Sequence, residues 1–266
     1  MLSFTDACTQ WIQYSKPCDT DLDYCKRMGD VWSHLNITDI TPDRWVNFRI
    51  NHLSNSSDST ANRCRDTLQT VLNFITKKYD IKFPKVPRYR VYNDRVRFLT
   101  IEEAHKLLDA YDDVVKPLFY CLAYNGVRKT EASLYTWSMY KDNYIIVPKE
   151  ITKTFPRRMP VHSKLRALIK PNGSDYLFPH PSGRRWKKWK GGSAEFDKYH
   201  RKAVKKVGIK DFTIHDWRHH FASHIMMNGG NLKVLMALGG WSSTRSVMRY
   251  AGVGDTHILH TLESLK

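Results

Sequence analysis

Residues 213–251 run TIHDWRHHFASHIMMNGGNLKVLMALGGWSSTRSVMRYA. Apolar spacing predicts three helices here, near 216–228, 231–238 and 243–251. The first starts close to Thr213. It puts His215 and Arg218 on one helical face, where both can reach a single bound group. Arginine offers a planar fork suited to phosphate oxygens, and histidine can move a proton near neutral pH. Neither residue decides anything alone, because a hydrogen-bonded structural histidine is the commoner outcome. The same holds for Arg249-Tyr250 at the far end, since a tyrosine after an arginine is usually packing.

Upstream, Asn125-Gly-Val-Arg128-Lys-Thr-Glu131 ends one helix at a glycine and begins the next at an arginine. An arginine held by such a turn can serve as a fixed anion clamp. The rest of this half is mixed. Thr100-Ile-Glu-Glu103 is a capping box that opens a helix through Tyr111. Segments 143–148 and 155–161 pattern as a short hairpin. A helix over 163–170, a short strand over 176–178 and a helix over 194–207, closed by Gly208, complete it.

Residues 1–80 carry helical periodicity and no strand signal. Phe4, Ala7, Cys8, Trp11 and Ile12 share a stripe, and the pattern continues through 22–35. Thr41-Pro42 reads as an N-cap followed by proline at the first helical position, opening a helix to about Leu53. Residues 55–59 form a polar turn before a longer helix to about Lys78. Segment 81–98 differs, because Pro84 and Pro87 break helices among Lys82, Lys85, Arg88, Arg90, Arg95 and Arg97. The expected fold is mainly α with a small β-sheet (α+β). It comprises a helical unit at 1–80, a basic linker at 81–98 and a mixed unit at 99–266.

The 266 residues carry 43 Lys+Arg against 26 Asp+Glu, a formal net charge of +17. The excess recurs along the whole chain, so a polyanion is the natural partner: each phosphate neutralised releases condensed counterions. No run of apolar residues is long enough to span a bilayer, and no membrane partner is expected. The first ten residues lack the basic start of a secretory signal, which points to an intracellular protein. Cys8, Cys18, Cys25, Cys64 and Cys121 form no C-x-x-C pair and read as free thiols.

Order and spacing join these signals. Arg128, then His215-x-x-Arg218, then Trp241, then Tyr250 nine residues later resembles the signature of the tyrosine recombinase (phage integrase) family. His-Asp-Trp-Arg-His-His-Phe-Ala-Ser-His resembles the family's His-x-x-Arg helix. Leu-Gly-Gly-Trp-Ser-Ser…Arg-Tyr-Ala resembles its Leu-Gly-His/Trp segment, and Asn-Gly-Val-Arg-Lys-Thr-Glu its Thr-Gly-x-Arg-x-x-Glu. The resemblance covers about 99–255, while the helical unit matches the family's core-binding domain only by size and class. Trp241 departs from the histidine usual at its position. An indole N–H still donates to phosphate but cannot titrate.

The resemblance implies a site-specific DNA recombinase of the integrase type. Tyr250 would attack a scissile phosphate and form a 3′-phosphotyrosyl intermediate. Arg128 and Arg218 would stabilise the charge that builds on two non-bridging oxygens, and Trp241 would add a hydrogen bond. His215 is the expected base. Lys153, on the hairpin, is the expected acid, with Lys149 its rival, and Glu131 would orient its neighbours. No cofactor or metal is expected, although His215, His219 and His220 lie within reach of one another on a helix. Arg88 and Arg90 are candidate DNA-backbone contacts. The implied partner is double-stranded DNA with a specific recombination site, bound by a homo-tetramer whose tail helix, over 255–266, docks on a neighbour, with room for an accessory DNA-bending protein. Integration or excision of viral or mobile-element DNA is the expected task. A type IB topoisomerase and a catalytically silent DNA-binding regulator of the same fold are the alternatives.

Overall fold

The computed structural model describes residues 2–91, 95–187 and 195–252, and divides the chain into two compact units, 1–93 and 94–266. The expected tail helix over 255–266 lies outside the described residues.

In the first unit α1 (Phe4–Ser15), α2 (Asp19–Trp32), α3 (Pro42–His52) and α4 (Asp58–Tyr79) follow the sequence pattern closely. Local chemistry fixes their starts. The Ser3, Thr41 and Ser57 side chains accept from the backbone of the first turns of α1, α3 and α4, and Pro42 opens α3. The core is rich in aromatic side chains, with Phe4, Trp11, Trp32, Trp45 and Phe48 all buried. Segment 81–91 has no regular structure yet is held along α4. Val86 is buried, Arg65 Nε donates to the Val86 carbonyl at 2.9 Å, and the Asn62 amide pairs with both backbone groups of Tyr89, each at 2.9 Å.

The second unit contains α5 (Ile101–Asp109), α6 (Lys116–Asn125), α7 (Lys129–Ala132), a three-stranded antiparallel sheet, α8 (Ser163–Arg166), α9 (Phe196–Val207), α10 (Asp216–Met227), α11 (Leu232–Gly239) and α12 (Thr244–Val247). The capping box at Thr100 and Glu103 is formed. The sheet runs β1 (Tyr140–Lys141), β2 (Tyr144–Val147) and β3 (Arg157–Pro160). Asp142 and Asn143, both at positive φ, make the tight turn into β2, and Ile145 pairs with Met159 across β2 and β3. Ile145, Val147 and Met159 face the core while Ile146 and Arg158 face out, the period expected of a half-buried strand.

Three expectations need correction. The helix over 163–170 stops at Arg166 and finishes as turns before Pro171. Residues 176–178 form no strand, only an isolated bridge between Thr136 and Tyr176. The last helix is one short turn, α12, followed by a 3-10 turn over Met248–Tyr250.

Helix α10 is pinned from beneath. Trp217, fully buried, donates its indole N–H to Tyr111 Oη at 3.1 Å. Tyr111 Oη in turn donates to His200 Nδ1 at 2.7 Å, and His200 Nε2 donates to the Phe212 carbonyl at 2.9 Å. This chain fixes one tautomer of His200 and the azimuth of α10. Two of the remaining histidines grip the backbone: His224 Nε2 donates to the Leu99 carbonyl and His220 Nδ1 accepts from the Leu99 N–H.

Candidate active site

Arg218, on the first turn of α10, is buried, and its guanidinium bridges the ends of two other helices. One nitrogen donates to the Gly126 carbonyl at 2.6 Å and the Gly239 carbonyl at 2.7 Å. Gly126 caps α6 and Gly239 ends α11, so both carbonyls carry the negative end of a helix dipole. The face of the guanidinium lies 3.5 Å from the centre of the Trp241 ring. Its second terminal nitrogen is buried without a partner among the described residues. Burial first, then the Arg128 charge, pushes the Arg218 pKa down to about 9, which leaves it a cation at neutral pH.

The glycines here are structural necessities. Gly126 has φ +59°, and a Cβ on it would sit 2.1 Å from the Phe221 ring. A Cβ on Gly239 would sit 1.9 Å from the Trp241 ring. The bare backbone lets α6 and α11 present carbonyls to one arginine.

Arg128, half-buried at the start of α7, approaches the Gly240 carbonyl at 3.4 Å and the Glu131 carboxylate at 3.9 Å. Glu131 is buried and also pairs with Arg157 of β3 and accepts from Tyr135 Oη at 2.7 Å. The Glu131 carboxylate therefore holds Arg157 and lies close to Arg128. Arg157 is a member of this cluster that sequence reasoning missed, although its place on the hairpin beside Arg158 was visible.

The hydroxyl of Tyr250 hydrogen-bonds to His219 Nδ1 at 2.7 Å, while its ring lies 6.1 Å from that of Trp241. Burial raises the Tyr250 pKa, with Arg249 and Arg218 opposing. His219 is the second residue missed, but the sequence carried its signal: it follows His215 by four, on the face that also carries Arg218. Its pKa is pushed down to about 4, by burial first, then by His215, Arg249 and Arg95, with Asp216 opposing. His215 meets the His219 ring edge-on at 5.3 Å and presents itself to solvent. Its own pKa is lowered by desolvation first and then by Arg218.

The structure thus gathers Arg128, Arg218, Trp241 and Tyr250 around one spot, with His215 one turn from His219. Lys153 sits exposed in the β2–β3 connection. Lys149 Nζ donates to the Thr154 carbonyl at 2.5 Å, and Thr154 Oγ1 donates to the Gly240 carbonyl at 3.1 Å, which ties this connection to the end of α11. Arg88 belongs to the first unit and pairs with Asp66 at 3.1 Å. Arg90 also lies in the first unit, in segment 81–91. No group of three or more His, Cys, Asp or Glu among the described residues is placed to hold a metal, and no described helix is long and apolar enough to cross a membrane.

Residues 97–257 match the phage integrase family, and the chain belongs to it. It is 26% identical over 186 residues to the integrase of Salmonella phage P22, covering 65% of this chain and 48% of that one. The chain spans about half the length of the curated relatives it matches. Among solved structures it resembles the Tn1549 transposon integrase in complex with a circular intermediate DNA, at a TM-score of 0.79, 15% identity and full coverage of both chains. It also resembles a lambda integrase tetramer bound to a Holliday junction, at a TM-score of 0.73 and 15% identity, covering 92% of this chain and 79% of that one.

Proposed function

We propose that this chain is a site-specific DNA strand transferase that cuts and rejoins DNA through Tyr250. The observation that carries the proposal is the convergence of two arginines, an indole and a tyrosine hydroxyl on one spot, where three of the four side chains are buried and the described cation charge exceeds the carboxylate charge. Tyr250 Oη attacks phosphorus and the P–O5′ bond breaks. The 3′-phosphate stays on the tyrosine, and the 5′-oxygen leaves as a hydroxyl. The bond energy is kept in the phosphotyrosyl link, so rejoining needs no nucleotide. Arg128 and Arg218 take the role that metal ions play in other phosphoryl transfers, and Lys153 supplies the proton to the leaving oxygen.

The helical unit and the basic stretch 81–98 clamp the duplex through phosphate contacts, Arg88 and Arg90 among them. The working form is a tetramer, like the lambda integrase tetramer bound to a Holliday junction, and the task is integration or excision of viral or mobile-element DNA. The test is covalent trapping. Wild type and Tyr250→Phe are incubated with a pool of nicked suicide duplexes of randomised sequence. A denaturation-resistant adduct in wild type alone is expected. Binding without an adduct would overturn the proposal in favour of a silent regulator, and an adduct that relaxes supercoils without strand exchange would favour a topoisomerase.

A further inference from the structure

His219 is hydrogen-bonded to the Tyr250 hydroxyl, yet none of the duties above uses it. It lies on α10 one turn beyond His215 and directly across from the 3-10 turn that ends at Tyr250. The Nδ1–Oη separation of 2.7 Å is that of a well-formed hydrogen bond. Arginine and lysine side chains cannot accept a proton at neutral pH, and Trp241 has no titratable group. A phenol that attacks phosphorus must lose its proton to something within hydrogen-bond reach. His219 already occupies that place, whereas the His215 ring packs against that of His219 at 5.3 Å.

We propose that His219 is the residue that takes the phenolic proton from Tyr250 as the phosphotyrosyl bond forms and returns it on rejoining. The proposal rests on the reading of Tyr250 as nucleophile. In the forward step the Tyr250 O–P bond forms, the phenolic proton passes to His219 Nδ1, the P–O5′ bond breaks and the 5′-oxygen is protonated from the opposite side. The groups that face His219 explain why the step waits for DNA. Burial first, then His215 at the start of α10, Arg249 on the 3-10 turn and Arg95 ahead of α5 disfavour a positive ring, with Asp216 opposing them. Before a phosphodiester binds, the ring is a neutral acceptor and the tyrosine stays protonated. A phosphodiester bound at Arg128 and Arg218 brings negative charge beside this cluster and makes His219 a better base. Proton transfer is thereby tied to occupancy.

The test uses the rate of adduct formation on the duplexes recovered by trapping. His219→Gln keeps a hydrogen-bond acceptor near Tyr250 but cannot take its proton, and His219→Ala removes both. Each is made with tyrosine or with 3,5-difluorotyrosine at position 250, whose phenol ionises near neutral pH. Both variants are expected to slow adduct formation by about a hundredfold, in the range of a lost general base, and to regain most of it with the fluorinated tyrosine. His215→Ala is expected to lose rate with no such recovery. Rates within about threefold of wild type in His219→Gln, or a defect indifferent to fluorination, would overturn the proposal while leaving Tyr250 as nucleophile. A wild type without any adduct would instead overturn the nucleophile reading itself.

Discussion

Replacing Gly126 by alanine tests the architecture under Arg218, and a second glycine provides the comparison. Gly126 and Gly208 both cap helices at positive φ, +59° and +73°. An added Cβ meets nothing within 4 Å at Gly208, but at Gly126 it lands 2.1 Å from the ring of Phe221, which is buried on α10. The left-handed backbone alone costs an alanine about 1–2 kcal/mol. Forcing a methyl into a packed core adds about 1–3 kcal/mol. With midpoints of about 1.5 and 3.5 kcal/mol, and about 3 °C per kcal/mol for a unit of this size, the melting temperature should fall by about 4 °C in Gly208→Ala and about 10 °C in Gly126→Ala. Scanning calorimetry, following the transition of the 94–266 unit, reads the difference. Gly126→Ala should also slow adduct formation, because the Gly126 carbonyl is one of the two that seat Arg218. Equal losses of melting temperature in the two variants would refute the argument. They would mean that Phe221 yields freely and that Gly126 is there for its dihedral angles alone.

Two further outcomes follow. His200, His215, His219 and His220 all have lowered pKa values, His219 to about 4 and His220 to about 3, so between those values and the ordinary histidine value near 6.5 the unfolded chain holds more protons than the folded one. Stability should therefore be full above about pH 7 and fall as pH drops toward 4; a melting temperature flat from about pH 7 to pH 5 would contradict this. On a duplex whose scissile 5′-oxygen is replaced by sulfur, the leaving thiolate needs no proton, so Lys153→Ala should recover its rate while Lys149→Ala, which loses the contact to Thr154, should not; recovery in Lys149→Ala alone would transfer the acid's role to Lys149.

What was legible in the sequence was what local chemistry determines. Caps at Thr41 and Thr100, glycines after α6 and α9, and apolar stripes along α1 and α4 act within a turn or two, so the helices fall where the pattern puts them. The motif residues were legible for a different reason: a fixed order of Arg128, His215, Arg218, Trp241 and Tyr250 is a resemblance, not a property of any one segment. The partners that hold them were not legible. Glu131 pairs with Arg157 across 26 residues and Tyr250 with His219 across 31, and no periodicity reports a side chain's neighbour at that range. The weak elements failed for a related cause. Residues 176–178 have β-forming side chains, but their one backbone bridge is to Thr136, and a strand needs a partner for its whole length.

The balance of charge in the site argues for what it awaits. Arg157 pairs with the Glu131 carboxylate, and Arg128 and Arg218 lie within its field. The buried Nε of Arg157 and one terminal nitrogen of Arg218 have no partner among the described residues. Buried cations in such excess are costly, as the lowered pKa of Arg218 registers. Helix carbonyls from Gly126 and Gly239 offset part of that cost, but they supply dipoles where a full negative charge would serve better. The geometry that keeps Arg218 in place therefore also keeps it unsatisfied. A ligand that brings negative oxygens to this spot relieves the arginines and, through the same field, favours positive charge on His219, the partner of the Tyr250 hydroxyl. On the proposed function, binding and activation would then be one electrostatic event.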